Sequence, residues 1–248
     1  MNQTRIIFIL VILVIGLVIC TVFFANGMYK YYKAYLERGL YPNGNEQRVE
    51  LKLDSLQTDI IIIGDSRSKH WDISDDWWNS YEVHKMAQSG FTSAQVRVLA
   101  NNANIEGEVN CVILCMGIND LKAGYFFKQQ ENAISSTVID NYEKIAQQFA
   151  ANNTKIVVCN VFPEGRHGGI RRLIWPSGMQ RQIESVNKSL LELCKQKGYL
   201  YLDAYGTLMD GRTKTPAKAN YYKDFLHLNN EGYEALNKQL KKLLDGEA

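Results

Sequence analysis

A serine hydroxyl becomes a useful nucleophile only when a neighbouring base takes its proton, and an imidazole base needs a third group to fix its tautomer. This chain holds all three residue types in settings suited to those tasks. The run Asp59-Ile-Ile-Ile-Ile-Gly-Asp-Ser-Arg-Ser68 reads as a buried strand that breaks at Gly64 and delivers Ser66 onto a turn. Far downstream, Asp224-Phe-Leu-His227 sets a carboxylate and an imidazole one helical turn apart, beside the start of the last amphipathic segment. Together they point to hydrolysis through a covalent intermediate. Two other readings compete. Ser66 is also a good helix cap, and Asp65 is the nucleophile a phosphatase on a similar sheet would use. The phosphatase would want a second carboxylate two residues on, where Arg67 stands.

The elements that must position these groups follow from the hydropathy pattern. Apolar runs at Asp59–Ile63, Val109–Met116, Lys155–Val161 and Tyr199–Ala204 are short, rich in Val, Ile or Leu, and lack in-out alternation. Strands buried on both faces have that character. Glu82–Ala87 is a shorter, weaker strand. Between the runs, Ser93–Asn102, Ser136–Asn152 and Met179–Gln196 carry helical spacing, and Glu231–Leu244 forms a final amphipathic helix. Repeated strand–helix units predict an α/β domain with a mostly parallel sheet covered by helices on both faces. Ligands of such sheets bind at the carboxyl ends of the strands. Ser66, Gly90, the Gly117-Ile-Asn-Asp120 segment, Asp224 and His227 all fall after predicted strands, so they are expected on one edge of the sheet.

Gly64-Asp-Ser66, Gly90 within Gln-Ser-Gly-Phe-Thr, Gly117-Ile-Asn-Asp120 and Asp224-Phe-Leu-His227 stand in the order of the four blocks of the SGNH, or GDSL-type, hydrolases, which the chain resembles. The resemblance covers about residues 57–244. It implies a flavodoxin-like three-layer α/β/α fold and ester hydrolysis through an acyl-enzyme. By the same resemblance Ser66 is the nucleophile, His227 the general base and Asp224 the group that orients it. The oxyanion hole is expected from the Ser66 amide, the Gly90 amide and the Asn119 side-chain amide. A glycine lets the backbone approach substrate closely, and a neutral amide donor suits a developing oxyanion. No cofactor and no metal is expected.

The sequence departs from the best-known family signature at Arg67, where that signature has Leu. Arg67 either helps bind an anionic substrate or points to solvent at a helix start. The loop Pro163–Gly178 is long, glycine-rich and basic. Such loops in compact domains are usually functional or disordered, and this one is read as a pocket wall whose Arg166, Arg171 and Arg172 face an acidic ligand. Trp175 in that loop and Trp71, Trp77 and Trp78 after the nucleophile either stack on sugar rings or pack as core and rim. Asp65 and Asp120 read as structural, and His70, His84 and His167 as surface or internally satisfied histidines.

Composition bounds the rest. At 248 residues with 46% hydrophobic side chains, the chain can bury one full core. Its net charge of +2 and scattered Lys and Arg argue against a nucleic-acid partner. Of five cysteines, Cys111, Cys115 and Cys159 lie in apolar runs and Cys194 on a probable helix, with no zinc-ligand spacing. They read as buried free thiols. Ile6–Ala25 is an uncharged apolar run of the length a bilayer requires, without a small-x-small cleavage site after it. The expected organisation is a single-pass transmembrane anchor over residues 1–28, a juxtamembrane linker over 29–56 and a catalytic domain over 57–248. The positive-inside rule alone would leave that domain in the cytoplasm. The short amino-terminal tail resembles a signal-anchor, which favours an extracytoplasmic domain. The expected activity is a serine esterase on a short-chain acyl ester, such as an O-acetyl group on carbohydrate. An acyltransferase acting on a glycan, or a non-catalytic anchored binding or assembly protein, are the alternatives.

Overall fold

The structure is a computed structural model, and it describes residues 3–43, 50–52, 59–106, 108–150, 154–166, 168–169, 178–211 and 219–246. It divides into two compact units, Met1–Arg38 and Gly39–Ala248. The first is the greater part of one unbroken helix, α1 (Gln3–Leu40), whose apolar side chains from Ile6 to Phe24 are exposed. It is long and apolar enough to cross a membrane, a property it shares with signal sequences. The stretch expected to be juxtamembrane is helical to Leu40. The expected linker also contributes a strand, β1 (Glu50–Lys52), which pairs in parallel with β4 (Asn104–Glu106). A three-residue strand has no period to read, so neither strand of this pair shows in the hydropathy pattern.

The second unit is a three-layer α/β/α domain. Its five-stranded parallel sheet comprises β2 (Asp59–Gly64), β3 (Glu82–Ala87), β5 (Cys111–Cys115), β6 (Lys155–Cys159) and β7 (Leu200–Leu202), in the order β3-β2-β5-β6-β7. The β2 run is almost pure isoleucine because both of its faces are covered. Ile61 and Ile63 join Val96 and Leu99 of α3 (Ser93–Asn101), Ile145 of α5 (Glu131–Phe149) and Ile183 of α6 (Met179–Lys197). Ile60 and Ile62 point the other way, onto Trp71, Trp78, Leu208 of α7 (Ala204–Leu208) and Leu236 of α8 (Asn230–Asp245). All four isoleucines are buried, and each contributes about 1.5–3 kcal/mol by leaving water. Cys111, Cys115, Cys159 and Cys194 are free and buried, as expected, and Cys20 is free and exposed.

Register levels the strand ends. Gly64 pairs with both Ala87 and Cys115, so β2, β3 and β5 stop together. The chain leaves β2 for β3 on one side and then crosses to β5 on the other. The gap between β2 and β5 is thus the point where strand order reverses, the usual ligand crevice of an open α/β sheet.

Candidate active site

The nucleophile turn is built on close approach. A Cβ at Gly64 would lie 1.8 Å from the Cys115 carbonyl oxygen and 2.4 Å from Ser68 Oγ, so only glycine ends this strand. Asp65 caps the four-residue helix α2 (Ser66–Lys69), its carboxylate accepting the Arg67 amide at 2.9 Å. Ser68 is fully buried and donates to carbonyls of β2 and β5, Ile63 at 3.2 Å and Cys115 at 2.9 Å. These bonds fasten the turn to two strands and leave Ser66 at the sheet edge.

The acid–base loop is folded on itself. Asp224 Oδ1 accepts the amides of Leu226 (2.7 Å) and His227 (2.8 Å), while its Oδ2 faces His227 Nδ1 at 2.8 Å. With a carboxylate at Nδ1, that nitrogen carries the proton and Nε2 presents its lone pair. Nε2 lies 3.0 Å from Ser66 Oγ, across 161 residues of sequence. Partial burial pulls the Asp224 carboxyl upward, but hydrogen bonds from the His227 ring and the two amides outweigh it and hold the group below its ordinary value. Asp224 is therefore the ionised partner that an imidazolium requires.

The oxyanion candidates lie after β3 and β5, the two strands that border β2. Gly90 has φ +83°, a conformation that favours glycine, in the turn between β3 and α3. Asn119 sits in the first turn of α4 (Ile118–Gly124) and is 6% exposed. Its Nδ2 donates to the Phe91 carbonyl at 2.9 Å, and its Oδ1 accepts from Lys122 at 3.2 Å. Asp120 braces the same region, taking the Ser93 amide at 2.8 Å and the Ser93 hydroxyl at 2.7 Å. The structure thus brings Ser66, His227 and Asp224 into hydrogen-bond contact.

Arg67 corrects the sequence reading. It is 2% exposed and so does not point to solvent. Its Nε donates to the Leu226 carbonyl at 3.2 Å and its Nη1 to the Phe162 carbonyl at 3.3 Å, and the guanidinium lies 4.8 Å from the Phe162 ring centre. The side chain is a strut from the nucleophile turn to the loop that carries His227. Trp71 and Trp78 are likewise core, Trp71 donating to Asn237 at 2.8 Å. Arg171, Arg172, Trp175 and His167 lie outside the described residues. Sequence reasoning missed Lys122, because nothing local marks a lysine as an amide's partner. It also passed over His70, whose ring packs edge-on to His227 at 6.0 Å.

Residues 62–235, well over half the chain, match the family of GDSL-like lipases and acylhydrolases. The chain belongs to this family. As a GDSL-family protein it is an enzyme of the hydrolase class, and it has no match among curated proteins. Its fold is shared with a GDSL-like lipase from Bacteroides thetaiotaomicron (18% identity, TM-score 0.59, covering 87% of this chain and 100% of that one). It is shared also with the acetylxylan esterase Axe2 from Geobacillus stearothermophilus, solved as a catalytic mutant (14%, 0.56, 77% and 96%). A carbohydrate acetylesterase family member from Sinorhizobium meliloti is similar in the same way (13%, 0.55, 77% and 99%).

Proposed function

We propose that this GDSL-family enzyme is a membrane-anchored serine esterase that removes short acyl groups, O-acetyl on carbohydrate foremost, through an acyl-enzyme. The observation that carries the reading is the continuous hydrogen-bonded line Ser66 Oγ–His227 Nε2 (3.0 Å) and His227 Nδ1–Asp224 Oδ2 (2.8 Å) at the reversal point of the sheet.

In this mechanism Ser66 Oγ attacks the ester carbonyl carbon as its proton passes to His227 Nε2. The carbonyl oxygen becomes an oxyanion held by the Ser66 amide, the Gly90 amide and Asn119 Nδ2. The carbon–oxygen bond to the alcohol then breaks, and the alcohol leaves with the proton from His227. Water, deprotonated by the same Nε2, attacks the acyl-enzyme and releases the carboxylic acid, restoring Ser66. Asp224 stabilises the imidazolium in both halves without taking its proton. The His227 side chain keeps 34% exposure, so an acceptor, water in this reading, can reach the base.

Carbohydrate esters are named because two fold relatives are described as an acetylxylan esterase and a carbohydrate acetylesterase family member. Arg171, Arg172 and Trp175 belong to the proposal as contacts to an acidic or sugar-bearing substrate. The helix Gln3–Leu40 is the proposed single-pass anchor, with the catalytic unit on the extracytoplasmic side.

The experiment is hydrolysis of an aryl acetate and of acetylated xylan by the full chain in detergent, with Ser66→Ala and His227→Ala as matched controls. Turnover that vanishes in both variants while their melting temperatures hold supports the reading. Equal turnover in Ser66→Ala sinks it.

A further inference from the structure

The two ends of an asparagine amide are nearly the same shape, so an oxyanion hole that uses one needs something to decide which end faces the reacting carbonyl. At Asn119 that decision is made by two neighbours of opposite character. The Phe91 carbonyl can only accept, and it takes one Nδ2 hydrogen at 2.9 Å. The Lys122 ammonium can only donate, and it gives to Oδ1 at 3.2 Å. Turning the amide over would set Nδ2 against the ammonium and Oδ1 against the carbonyl, losing both bonds and creating two repulsions. The second Nδ2 hydrogen is what remains for substrate.

Lys122 is partly buried, unlike most lysines, which extend their heads fully into water. Burial lowers its pKa from the ordinary value, and the nearby Asp65 carboxyl, whose own pKa burial raises, opposes part of that shift. A cation close to Oδ1 draws electron density through the conjugated amide and makes Nδ2–H a stronger donor. That effect grows where water is partly excluded.

We propose that Lys122 is a positioning residue of the oxyanion hole, fixing the Asn119 amide with Nδ2 toward the acyl carbonyl and strengthening that donor through its charge. The inference rests on the reading of Ser66 as nucleophile and Asn119 as oxyanion donor. It joins Gly90 and Asn119 into one device, because the carbonyl that holds Asn119 belongs to the residue after Gly90. Lys122 touches no substrate atom in this scheme and acts only through Asn119.

The test uses a fluorophosphonate on the full chain in detergent, with the adduct followed by intact mass. Ser66 Oγ forms a bond to phosphorus, the phosphorus–fluorine bond breaks, fluoride leaves and the serine proton goes to His227 Nε2. The phosphoryl oxygen then occupies the oxyanion site. Lys122→Met should slow this reaction about 10–10²-fold, less than the roughly 10²–10³-fold expected for losing an oxyanion donor outright. In ester hydrolysis the same variant should lower kcat and leave KM in place. Lys122→Arg, which keeps a charged donor, should recover most of the rate. In an Asn119→Ala background Lys122→Met should add nothing, since the residue it serves is gone.

An unchanged rate in Lys122→Met overturns the proposal, as does an equal slowing with Asn119 present or absent. If Lys122→Met does not fold, the same comparison with Lys122→Gln, which is neutral and closer in shape, decides it. A folded wild-type chain that takes no label at Ser66 refutes the nucleophile itself and the proposal with it.

Discussion

Asp224 sits between partial burial, which favours its acid form, and three hydrogen bonds that favour its carboxylate, and the bonds prevail. Two consequences follow at the scale of single residues. Asp224→Asn keeps the shape but sets an amide against His227 Nδ1, which allows the wrong tautomer. The expected loss in kcat is about 10⁴-fold, the size the same change has in a serine protease triad. Steady-state rates at saturating substrate check it. Second, Asp224 must be ionised to hold the His227 ring, so its contribution to stability depends on pH. Because the folded Asp224 pKa is depressed, its stabilising contribution is present above the ordinary carboxylate value and is lost as pH falls through the lower folded one. Paired urea melts of wild type and Asp224→Asn check it, and an equal loss of stability on acidification in both would contradict it.

At the scale of elements, Arg67 ties α2 to the loops after β6 and before α8. Arg67→Leu, the residue of the best-known family signature, leaves the Phe162 and Leu226 carbonyls without their donor. An unpartnered buried acceptor costs about 1–3 kcal/mol. A urea melt should show a loss of about 2–6 kcal/mol for the two together, with a fall in kcat as the His227 loop loosens. Asp120 links α4 to the start of α3, and burial pushes its carboxyl from 3.8 up to about 7 against the pull of the Ser93 bonds. The unfolded chain releases this proton near 3.8 and the folded chain near 7, so folding takes up a proton in between. The contribution of Asp120 is then fullest below 3.8 and lost as pH rises through about 7. Asp120→Asn, which keeps an acceptor for the Ser93 amide and sets an amide donor against the Ser93 hydroxyl oxygen, should be less sensitive to pH between about 4 and 7 than wild type in paired urea melts.

These elements also mark what sequence could tell. The isoleucine run of β2, the glycine that must end it and the short Asp224–His227 spacing are local signals, and each maps directly onto the structure. The role of Arg67 is not local, since its partners lie 95 and 159 residues away, and a guanidinium after a serine reads as surface until the fold turns it inward. Trp71 and Trp78 follow the nucleophile closely in sequence yet point into the α8 side of the core, which adjacency cannot foretell. Lys122 is one turn from Asn119, but helical spacing places a lysine without saying what it donates to.

At the scale of the whole molecule, the four thiols packed inside the catalytic unit bear on where it can be made. Burial pushes Cys111 and Cys194 up to about 12, and the thiolate is the form that attacks a disulfide. Iodoacetamide applied to the native protein should modify Cys20 at most, read by peptide mass, and leave turnover intact; rapid alkylation of Cys111 or Cys194 would contradict the packing. The unit thus needs no oxidative folding catalyst to mature, and a reducing glutathione pool finds no bond in it to break. In a reducing compartment its covalent structure is therefore the one seen here, with every thiol of the sheet intact.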